Sequence, residues 1–337
     1  MDLSYVLPLG CPDGHGAHVE LAGYLREIAE LGVEVLVVDN SGPLAFADHR
    51  AAFGAITSVR HLPTEIRTPN GKVGNVLTGL RRARHDRVVI ADDDVRHDGR
   101  TLAELSRRLE RADLVVPANA FSPLPWHARW DTGRTLLNRA LWFDYPGTLG
   151  VRRSTVLAIG GYAGDVMFEN LELMRTVGAA GGRVILAPEL IVPRRPPSTR
   201  AFFGQRVRQA YDDLAQPVKL AAMLALGPLL AVAASRRAWR PLLAGVGAVI
   251  TLAEVGRRRR GGANAFPRTS ALWAPLWLAE RAVCIWIAVA RRLLLGGIRY
   301  RDVRLARAAT PTRELRRRVW TRRQVEPASA ARDGAAA

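Results

Sequence analysis

The chain has few cysteines, few lysines and no evident secretion signal. Its 337 residues include two cysteines, Cys11 and Cys284, which lie far apart in the sequence. This excludes a disulfide framework or a cysteine-rich zinc site and is compatible with a reducing compartment. Residues 1–10 have neither a basic start nor a long apolar core, so we expect no signal peptide. Among 49 basic residues, only Lys72 and Lys219 are lysines, and arginine is the better partner for phosphate.

Acidic residues are scarce in the last third of the chain. Residues 216–337 hold 23 basic and 6 acidic side chains, whereas residues 1–215 are nearly balanced, so most of the net charge of +18 lies after residue 215. The composition as a whole, 48% hydrophobic and 24% charged, excludes a disordered protein. We therefore expect a near-neutral soluble domain followed by a region that is both apolar and arginine-rich.

Strand and helix patterns alternate over residues 1–118, which is typical of a mainly parallel α/β sheet. Polar residues follow two of the strands, at 39–41 and 92–94, where open α/β sheets bind their ligands. Residues 119–215 continue with a mixture of helices and strands. The predicted strands are 3–9, 33–38, 55–59, 87–91, 114–116, 148–151 and 184–186, and the predicted helices are 19–31, 73–83, 102–109, 134–142, 169–177 and 201–214.

Three apolar segments after residue 216 predict membrane association. Residues 218–234 are barely long enough to span a bilayer, 242–253 are too few, and 271–295 carry tryptophans typical of an interface. Arginine clusters flank the segments, as expected beside anionic head groups. A helical soluble subdomain is the alternative. The predicted organisation is a catalytic domain at 1–215, membrane-associated helices at 216–301, and a basic, partly disordered tail at 302–337.

The acidic run Asp92-Asp93-Asp94 directly follows an apolar strand. Alternate side chains of an extended backbone point the same way, so Asp92 and Asp94 share a face. Two carboxylates on one face suit Mg²⁺ or Mn²⁺, which take oxygen ligands and accept phosphates as co-ligands. The plainer interpretation is a helix N-cap with solvated neighbours.

A glycine-rich helix start, Gly71-Lys72-Val73-Gly74-Asn75, contains the first of the two lysines. Such a start favours anions, so contact with a nucleotide is plausible, although the spacing is not that of a Walker loop. An ordinary turn is the alternative.

Two further motifs combine charge with helical spacing. Glu169 and Glu172 lie three residues apart on one helix face after Gly160-Gly161-Tyr162, and the alternative is a solvated acidic first turn. Gln205 and Arg208 lie on a basic helix, where Arg208 can reach a diphosphate bidentately or simply face solvent.

Taken in order, these motifs resemble the family 2 glycosyltransferases of GT-A fold, specifically the membrane-bound branch related to ceramide glucosyltransferases. The segment 71–75 resembles the family's G-K-x-x-N, the run 92–96 its D-x-D-V-R metal motif, and 148–162 its acceptor-side strand and G-G-[FY] turn. Residues 205–209 resemble its Q-x-x-R-W, and 297–301 its short basic-aromatic segment after the last helix.

The resemblance implies roles for single residues. It implies a mixed, mainly parallel GT-A sheet and a nucleotide-diphosphate sugar as donor, with Mg²⁺ or Mn²⁺ as cofactor. Asp92 and Asp94 would hold the metal. Donor binding would fall to Asp39, Lys72, Asp92, Asp93 and Gln205, and catalysis to the residues around 169–172 together with Arg208.

Two departures from the family pattern concern the acceptor side. Asn170 stands where the family has its catalytic aspartate, and an asparagine cannot take a proton. Gln209 replaces the tryptophan of Q-x-x-R-W. Either the base has moved to Glu169 or Glu172, or the acceptor needs no strong base, or the enzyme is inactive.

The sequence therefore predicts an inverting, metal-assisted glycosyltransferase at the cytoplasmic membrane, with its catalytic domain facing the cytoplasm and a lipid or glycolipid as acceptor. The first alternative is an inactive homologue that serves as a membrane scaffold or partner. The second is a nucleic-acid binder using the arginine-rich tail. We expect no nucleic acid, because the excess charge lies between and after apolar segments rather than on the α/β domain.

Overall fold

The computed structural model describes residues 1–10, 18–141 and 144–318. Its centre is a seven-stranded sheet in the order β3-β2-β1-β4-β6-β5-β7. Strand β6 runs antiparallel to both of its neighbours, and every other pair is parallel. The strands are β1 Ser4–Leu9, β2 Glu34–Asp39, β3 Val59–Pro63, β4 Arg87–Ala91, β5 Leu114–Phe121, β6 Thr148–Arg152 and β7 Val184–Arg194.

Helices cover both faces of this sheet. Helices α1, α2 and α4 bury their apolar sides on one face, and α3, α6 and α7 do so on the other. The sheet is therefore a buried layer, as the uninterrupted apolar strands require. The bounds are α1 His18–Glu30, α2 Pro43–Gly54, α3 Gly71–Arg82, α4 Gly99–Leu109, α5 Trp126–Leu141, α6 Arg153–Ala158, α7 Glu169–Ala179 and α8 Thr199–Ala210, with a 3-10 helix at Tyr211–Ala215.

The predicted mixed, mainly parallel sheet is confirmed, with two local corrections. The predicted strand at 55–59 is wrong, because the chain forms α2 up to Gly54 and enters β3 only at Val59. The strand predicted at 184–186 continues as β7 to Arg194. This strand is an edge of the sheet, where proline is tolerated.

Three long helices follow the sheet domain: α9 Pro217–Ser235, α10 Trp239–Arg258 and α11 Ala274–Leu294. Two segments, Pro217–Ser235 and Arg268–Leu294, are long and apolar enough to cross a membrane. Only 6% of the first is buried within the protein, against 33% of the second. Helix α11 packs on α5 and α8, so the second segment is partly a component of the folded core.

The chain then returns to the sheet domain. A hairpin of β8 Ile298–Tyr300 and β9 Val303–Leu305 follows α11. Beyond it, the backbone of Arg307 and Ala308 accepts hydrogen bonds from the amides of Met167 and Phe168. Part of the predicted tail therefore packs beside α7. The domain boundaries at 215 and 301 stay a prediction. Cys11 and the end of the predicted tail, after residue 318, lie outside the described residues.

Candidate active site

Two adjoining cavities open at the carboxyl ends of β1, β2 and β4. The outer cavity, of about 930 Å³, includes Asp39, Phe46 and Arg67 in its lining. The inner cavity, of about 410 Å³, is lined by the acidic run 92–94 among others, and Asn40 lines both. Strands β2 and β3 lie on one side of β1, and the next strand, β4, lies on its other side. The strand order therefore reverses beside β1, and open α/β sheets form a ligand-binding crevice at such a switch point.

Asp39, at the end of β2, is held rigidly at the wall of the outer cavity. Its Oδ2 contacts His49 Nδ1 at 2.6 Å and His61 Nε2 at 3.0 Å, and its Oδ1 accepts the Ser41 amide at 2.8 Å. Burial raises the pKa of Asp39, but hydrogen bonds from His61, Ser41 and His49 outweigh it and lower the pKa to about 2. The carboxylate is therefore ionised and fixed in orientation.

Asp39 and its two histidine partners are also close enough together to be considered as ligands of one metal ion. The ligand atoms of Asp39, His49 and His61 lie within 4.8 Å of one another. Separations of 2.6 and 3.0 Å between the aspartate oxygen and the ring nitrogens are those of direct hydrogen bonds. The two histidines therefore hold the Asp39 carboxylate in place by hydrogen bonds.

The start of α3 explains the glycine-rich motif. Asn70 caps the helix by accepting the Lys72 amide, and Asn75 donates to Leu9 O at 2.6 Å and to Asn40 Oδ1 at 3.2 Å. A Cβ on Gly71 would lie 2.0 Å from the side-chain nitrogen of Asn40, so a larger residue there would displace the Asn40 side chain. The motif thus ties the helix start to the ends of β1 and β2.

Lys72 connects two predicted site segments. Its Nζ contacts Asp92 Oδ1 and lies 2.5 Å from Glu169 Oε1. Burial alone would lower the pKa of Lys72, but the carboxylates of Asp92 and Glu169 outweigh it and raise the pKa. The lysine is therefore a permanent cation between the acidic run and α7.

The acidic run has the arrangement expected for a cation site. Arg194 Nε lies 2.8 Å from Asp94 Oδ2, and its Nη2 lies 3.3 Å from Asp92 Oδ2, so one guanidinium spans both carboxylates. Asp92 and Asp94 therefore lie on one side of the strand end. Asp94 Oδ1 is buried with no hydrogen-bond partner among the described residues, which leaves an oxygen ligand free. The residues present fit a divalent cation.

Crowding of like charges perturbs this run. Burial and then the charges of Asp94 and Asp92 raise the pKa of Asp93 to about 6. Burial raises the pKa of Asp94 as well, and Arg194 offsets part of that effect. Carboxylates with raised pKa values in a cleft are typical of a functional site, and a bound cation would relieve their repulsion.

The first turn of α7 brings Glu169 and Asn170 into the inner cavity. The Asn170 side chain donates to Pro146 O at 2.8 Å, and Glu169 also lies 3.4 Å from the Asn70 amide. Glu172 lies elsewhere: it is fully buried, and its Oε2 accepts the Thr310 amide at 2.6 Å. Glu172 is therefore not retained as a catalytic candidate, because it contacts the C-terminal segment and not the cavity.

Helix α8 completes the inner cavity with Gln205, Arg208 and Gln209. The guanidinium of Arg208 lies 5.8 Å from the centre of the Tyr300 ring. Arg208 forms no ion pair among the described residues, so its charge is available to an anionic ligand.

Several residues that line the inner cavity were not singled out from the sequence. Arg194 is one of them, although an arginine at a strand's carboxyl end is a usable signal. Asp212 lies one helical turn beyond Arg208, and burial raises its pKa. Four others are distant in sequence, and no local pattern marks them: Asp131, Arg134, Tyr145 and Arg281. Tyr300 and Arg301 also line the cavity, and they belong to the segment 297–301 that the resemblance had marked.

Part of the chain that forms this cavity matches a known protein family. Residues 20–165 match the model of the glycosyl transferase family 2, and they include Asp39, Lys72 and the run 92–94. The chain contains a family 2 glycosyltransferase domain. It is an enzyme of the transferase class, and the predicted family, fold and class are confirmed. A search of curated proteins gives no match.

Solved structures of other proteins resemble this one. The mannosyltransferase PcManGT from Pyrobaculum calidifontis, in complex with GDP-Man and Mn²⁺, is 19% identical, with 85% of this chain and 87% of that chain covered and a TM-score of 0.50. TarS 1–349 from S. aureus is 14% identical, with 90% and 94% covered and a TM-score of 0.43. The likeness to PcManGT bears on the fold alone. The relation to ceramide glucosyltransferases stays a prediction.

Proposed function

We propose that this glycosyltransferase moves a sugar from a nucleotide-diphosphate donor to a lipid or membrane-proximal acceptor, with inversion at the anomeric carbon. The observation that carries the proposal is the inner cavity. It combines the acidic run 92–94, the cations Lys72 and Arg208, and the carboxylate of Glu169 within one space of about 410 Å³. A donor diphosphate, a metal and an acceptor hydroxyl need these groups together.

The two cavities suit the two halves of the donor. The outer cavity, with the fixed carboxylate of Asp39, is the proposed place of the nucleoside. The diphosphate would pass Asn40 into the inner cavity. There Asp92 and Asp94 would hold Mg²⁺ or Mn²⁺, whose charge would neutralise the leaving diphosphate. Lys72, Asp93 and Gln205 line the same space and are proposed donor contacts.

Glu169 is the proposed general base. It is the first residue of α7, so its side chain is not confined by a preceding helical turn. The acceptor hydroxyl would lose its proton to this carboxylate while its oxygen attacks the anomeric carbon. The bond from that carbon to the diphosphate oxygen would break, and Arg208 would stabilise the departing charge.

The apolar helices support a membrane-bound acceptor. Helix α9 is 19 residues long, exposes apolar side chains such as Val218 and Leu229, and is only 6% buried. Lys219 at its start pairs with Asp213, which fixes the helix to the 3-10 helix after α8. The acceptor would therefore reach the inner cavity from the membrane side. We propose the cytoplasmic face of the membrane as the location, because sugar nucleotides are supplied there.

An inactive homologue is the second candidate, and one observation favours it. The Asn170 amide, at the position of the family base, donates to Pro146 O, while Glu169 is engaged by Lys72. Such a protein would still bind the donor but would not transfer the sugar.

A donor screen separates these candidates. Full-length protein in detergent is incubated with sugar nucleotides, a lipid extract and Mn²⁺ or Mg²⁺, and release of nucleoside diphosphate and sugar transfer are both measured. We expect metal-dependent transfer, which Asp94→Asn abolishes. Asp2→Asn, an exposed substitution of the same kind, should leave transfer unchanged. Metal-dependent transfer that survives Asp94→Asn would refute the metal assignment, and donor binding without transfer would favour the inactive homologue.

A further inference from the structure

The hairpin after α11, residues 298–305, closes one side of the inner cavity. Its strands pair from Ile298 to Leu305, and these two residues are buried against Met167 and Tyr211 of the sheet domain. The hairpin thus sits firmly on the catalytic fold. Tyr300 and Arg301, at its tip, line the inner cavity.

Arg301 lies at the junction of the two cavities. Its Nη1 donates to Asn40 Oδ1 at 3.2 Å, and its Nη2 donates to Gly10 O at 2.5 Å. Asn40 lines both cavities, and Gly10 follows the central strand β1. A donor whose nucleoside fills the outer cavity and whose sugar fills the inner one must carry its diphosphate past this junction.

The charge of Arg301 has no carboxylate partner among the described residues. The inner cavity's Lys72, Arg194 and Arg134 each pair with aspartates or glutamates. Arg301 instead bonds to two neutral oxygens, and its guanidinium lies 5.8 Å from the Tyr300 ring centre. Arg208 lies at the same distance from that ring. One aromatic side chain therefore lies near two cations, neither of which pairs with a carboxylate in the part of the chain that the structure describes.

The backbone at Arg301 is strained. With φ at +52°, it lies in the left-handed region, at the first of the two residues that join β8 to β9. Glycine is the residue that such a turn favours, since a side chain there is strained. A non-glycine residue held in this conformation next to a ligand cavity points to a role for its side chain.

We propose that Arg301 and Arg208, spaced by Tyr300, form a clamp for the donor diphosphate. The inference rests on the proposed function and adds a residue from outside the matched family domain. When the donor binds, Arg301 exchanges Asn40 Oδ1 and Gly10 O for diphosphate oxygens. Charge-assisted bidentate contacts to phosphate are stronger than bonds to neutral oxygens, so the exchange favours the bound state.

The test compares ligands that differ only in their phosphates. Binding of GDP, UDP, guanosine and uridine to full-length protein in detergent with Mn²⁺ is measured for wild type, Arg301→Gly and Arg301→Gln. We expect both variants to weaken nucleoside diphosphate binding roughly 10- to 100-fold and to leave nucleoside binding unchanged. Because glycine relieves the turn, the thermal midpoint of Arg301→Gly should equal or exceed that of wild type.

Matched variants test the geometry of the clamp. Arg304→Gln removes the same charge from an exposed position on β9 and should bind nucleoside diphosphates like wild type. Tyr300→Phe keeps the ring and should also bind normally, whereas Tyr300→Ala should resemble Arg301→Gly. Unchanged diphosphate binding in Arg301→Gly, or an equal loss of nucleoside binding, would overturn the clamp. If wild type binds no nucleoside diphosphate at all, the proposed function itself fails.

Discussion

At the scale of single residues, the identity of residue 170 decides which side chain can accept the acceptor's proton. An asparagine there ends in an amide that donates to Pro146 O, so the family's proton acceptor is missing at that atom. The neighbouring Glu169 lies in the same cavity and carries a carboxylate. It contacts Lys72, and a bound donor phosphate would compete for that lysine.

Glu169→Gln should therefore lower sugar transfer by about 10²- to 10⁴-fold, the usual contribution of general-base catalysis. Donor binding should be retained, because the amide keeps the shape of the side chain. Transfer and donor affinity are measured separately. Asn170→Asp should be neutral or raise transfer. Transfer at the wild-type rate in Glu169→Gln would contradict the role of Glu169 as the base. Asp212→Asn would then test the next carboxylate that lines the cavity.

A buried histidine links the fold to pH. His97 bonds to Thr148 Oγ1 at 2.9 Å and Thr101 Oγ1 at 3.2 Å, and burial lowers its pKa to about 3. In the unfolded chain its pKa is about 6.5, so its contribution to stability is complete above pH 6.5 and is lost as the pH falls toward 3.

Between pH 6.5 and 5 this one group should cost about 2 kcal/mol of unfolding free energy. His97→Gln keeps a hydrogen-bonding side chain but cannot take up a proton. Urea unfolding at both pH values should therefore show a smaller acid loss in the variant than in wild type. Equal losses in the two proteins would show that His97 is not the group that titrates.

At the scale of elements, the sequence predicted what local patterns encode. The predicted bounds of the buried strand Arg87–Ala91 equal the observed ones, because an uninterrupted apolar run marks this strand. Helix α2 was missed, since it buries only Ala45, His49 and Phe53, although Pro43 at its first turn was a usable signal. The length of β7 was underestimated because its prolines are tolerated only through its place at the sheet edge.

Helix α10 is bound to the sheet domain at a close contact with α5. A Cβ on Gly256 would lie 1.9 Å from Leu136 O, whereas a Cβ on Gly245, in the same helix, would meet nothing within 4 Å. The C-terminal end of α10 is thus packed against the backbone of α5, while its N-terminal half is exposed.

Gly256→Ala should therefore destabilise the protein by about 1–3 kcal/mol, as overpacking does. Gly245→Ala should be neutral or stabilising by about 0.5–1 kcal/mol, because alanine is the better helix former. Thermal midpoints of both variants in one detergent provide the comparison. Equal effects of the two substitutions would contradict the close contact between α10 and α5.

At the scale of the whole molecule, charge and apolar surface divide along the chain. The sequence predicted this division, because composition alone reveals it. It could not predict that α11 packs into the fold with Trp277 and Arg281 buried. Both residues depend on partners distant in sequence: α5 for Trp277, and Asp213 for Arg281.

The exposed apolar surface of α9 should decide membrane binding. Leu229→Glu combined with Val232→Glu places two charges on this helix and should shift the protein toward the soluble fraction. Leu44→Glu, at a position 85% exposed on α2, is the matched control and should leave the distribution unchanged. The measurement is sedimentation of membranes without detergent. Protein that stays in the soluble fraction before any substitution would refute membrane association.

The return of the chain to α7 has a consequence for biosynthesis. Thr310 reaches Glu172, and Arg307 and Ala308 bond to the loop that precedes Glu169. A ribosome makes these residues only after all three long helices. The nascent sheet domain, although it holds the acidic run and Lys72, therefore lacks the backbone that supports the loop before Glu169. The enzyme should therefore gain its activity only after α11 has been synthesised. Sugar transfer should then begin at the site in the cell where α11 already has its final position.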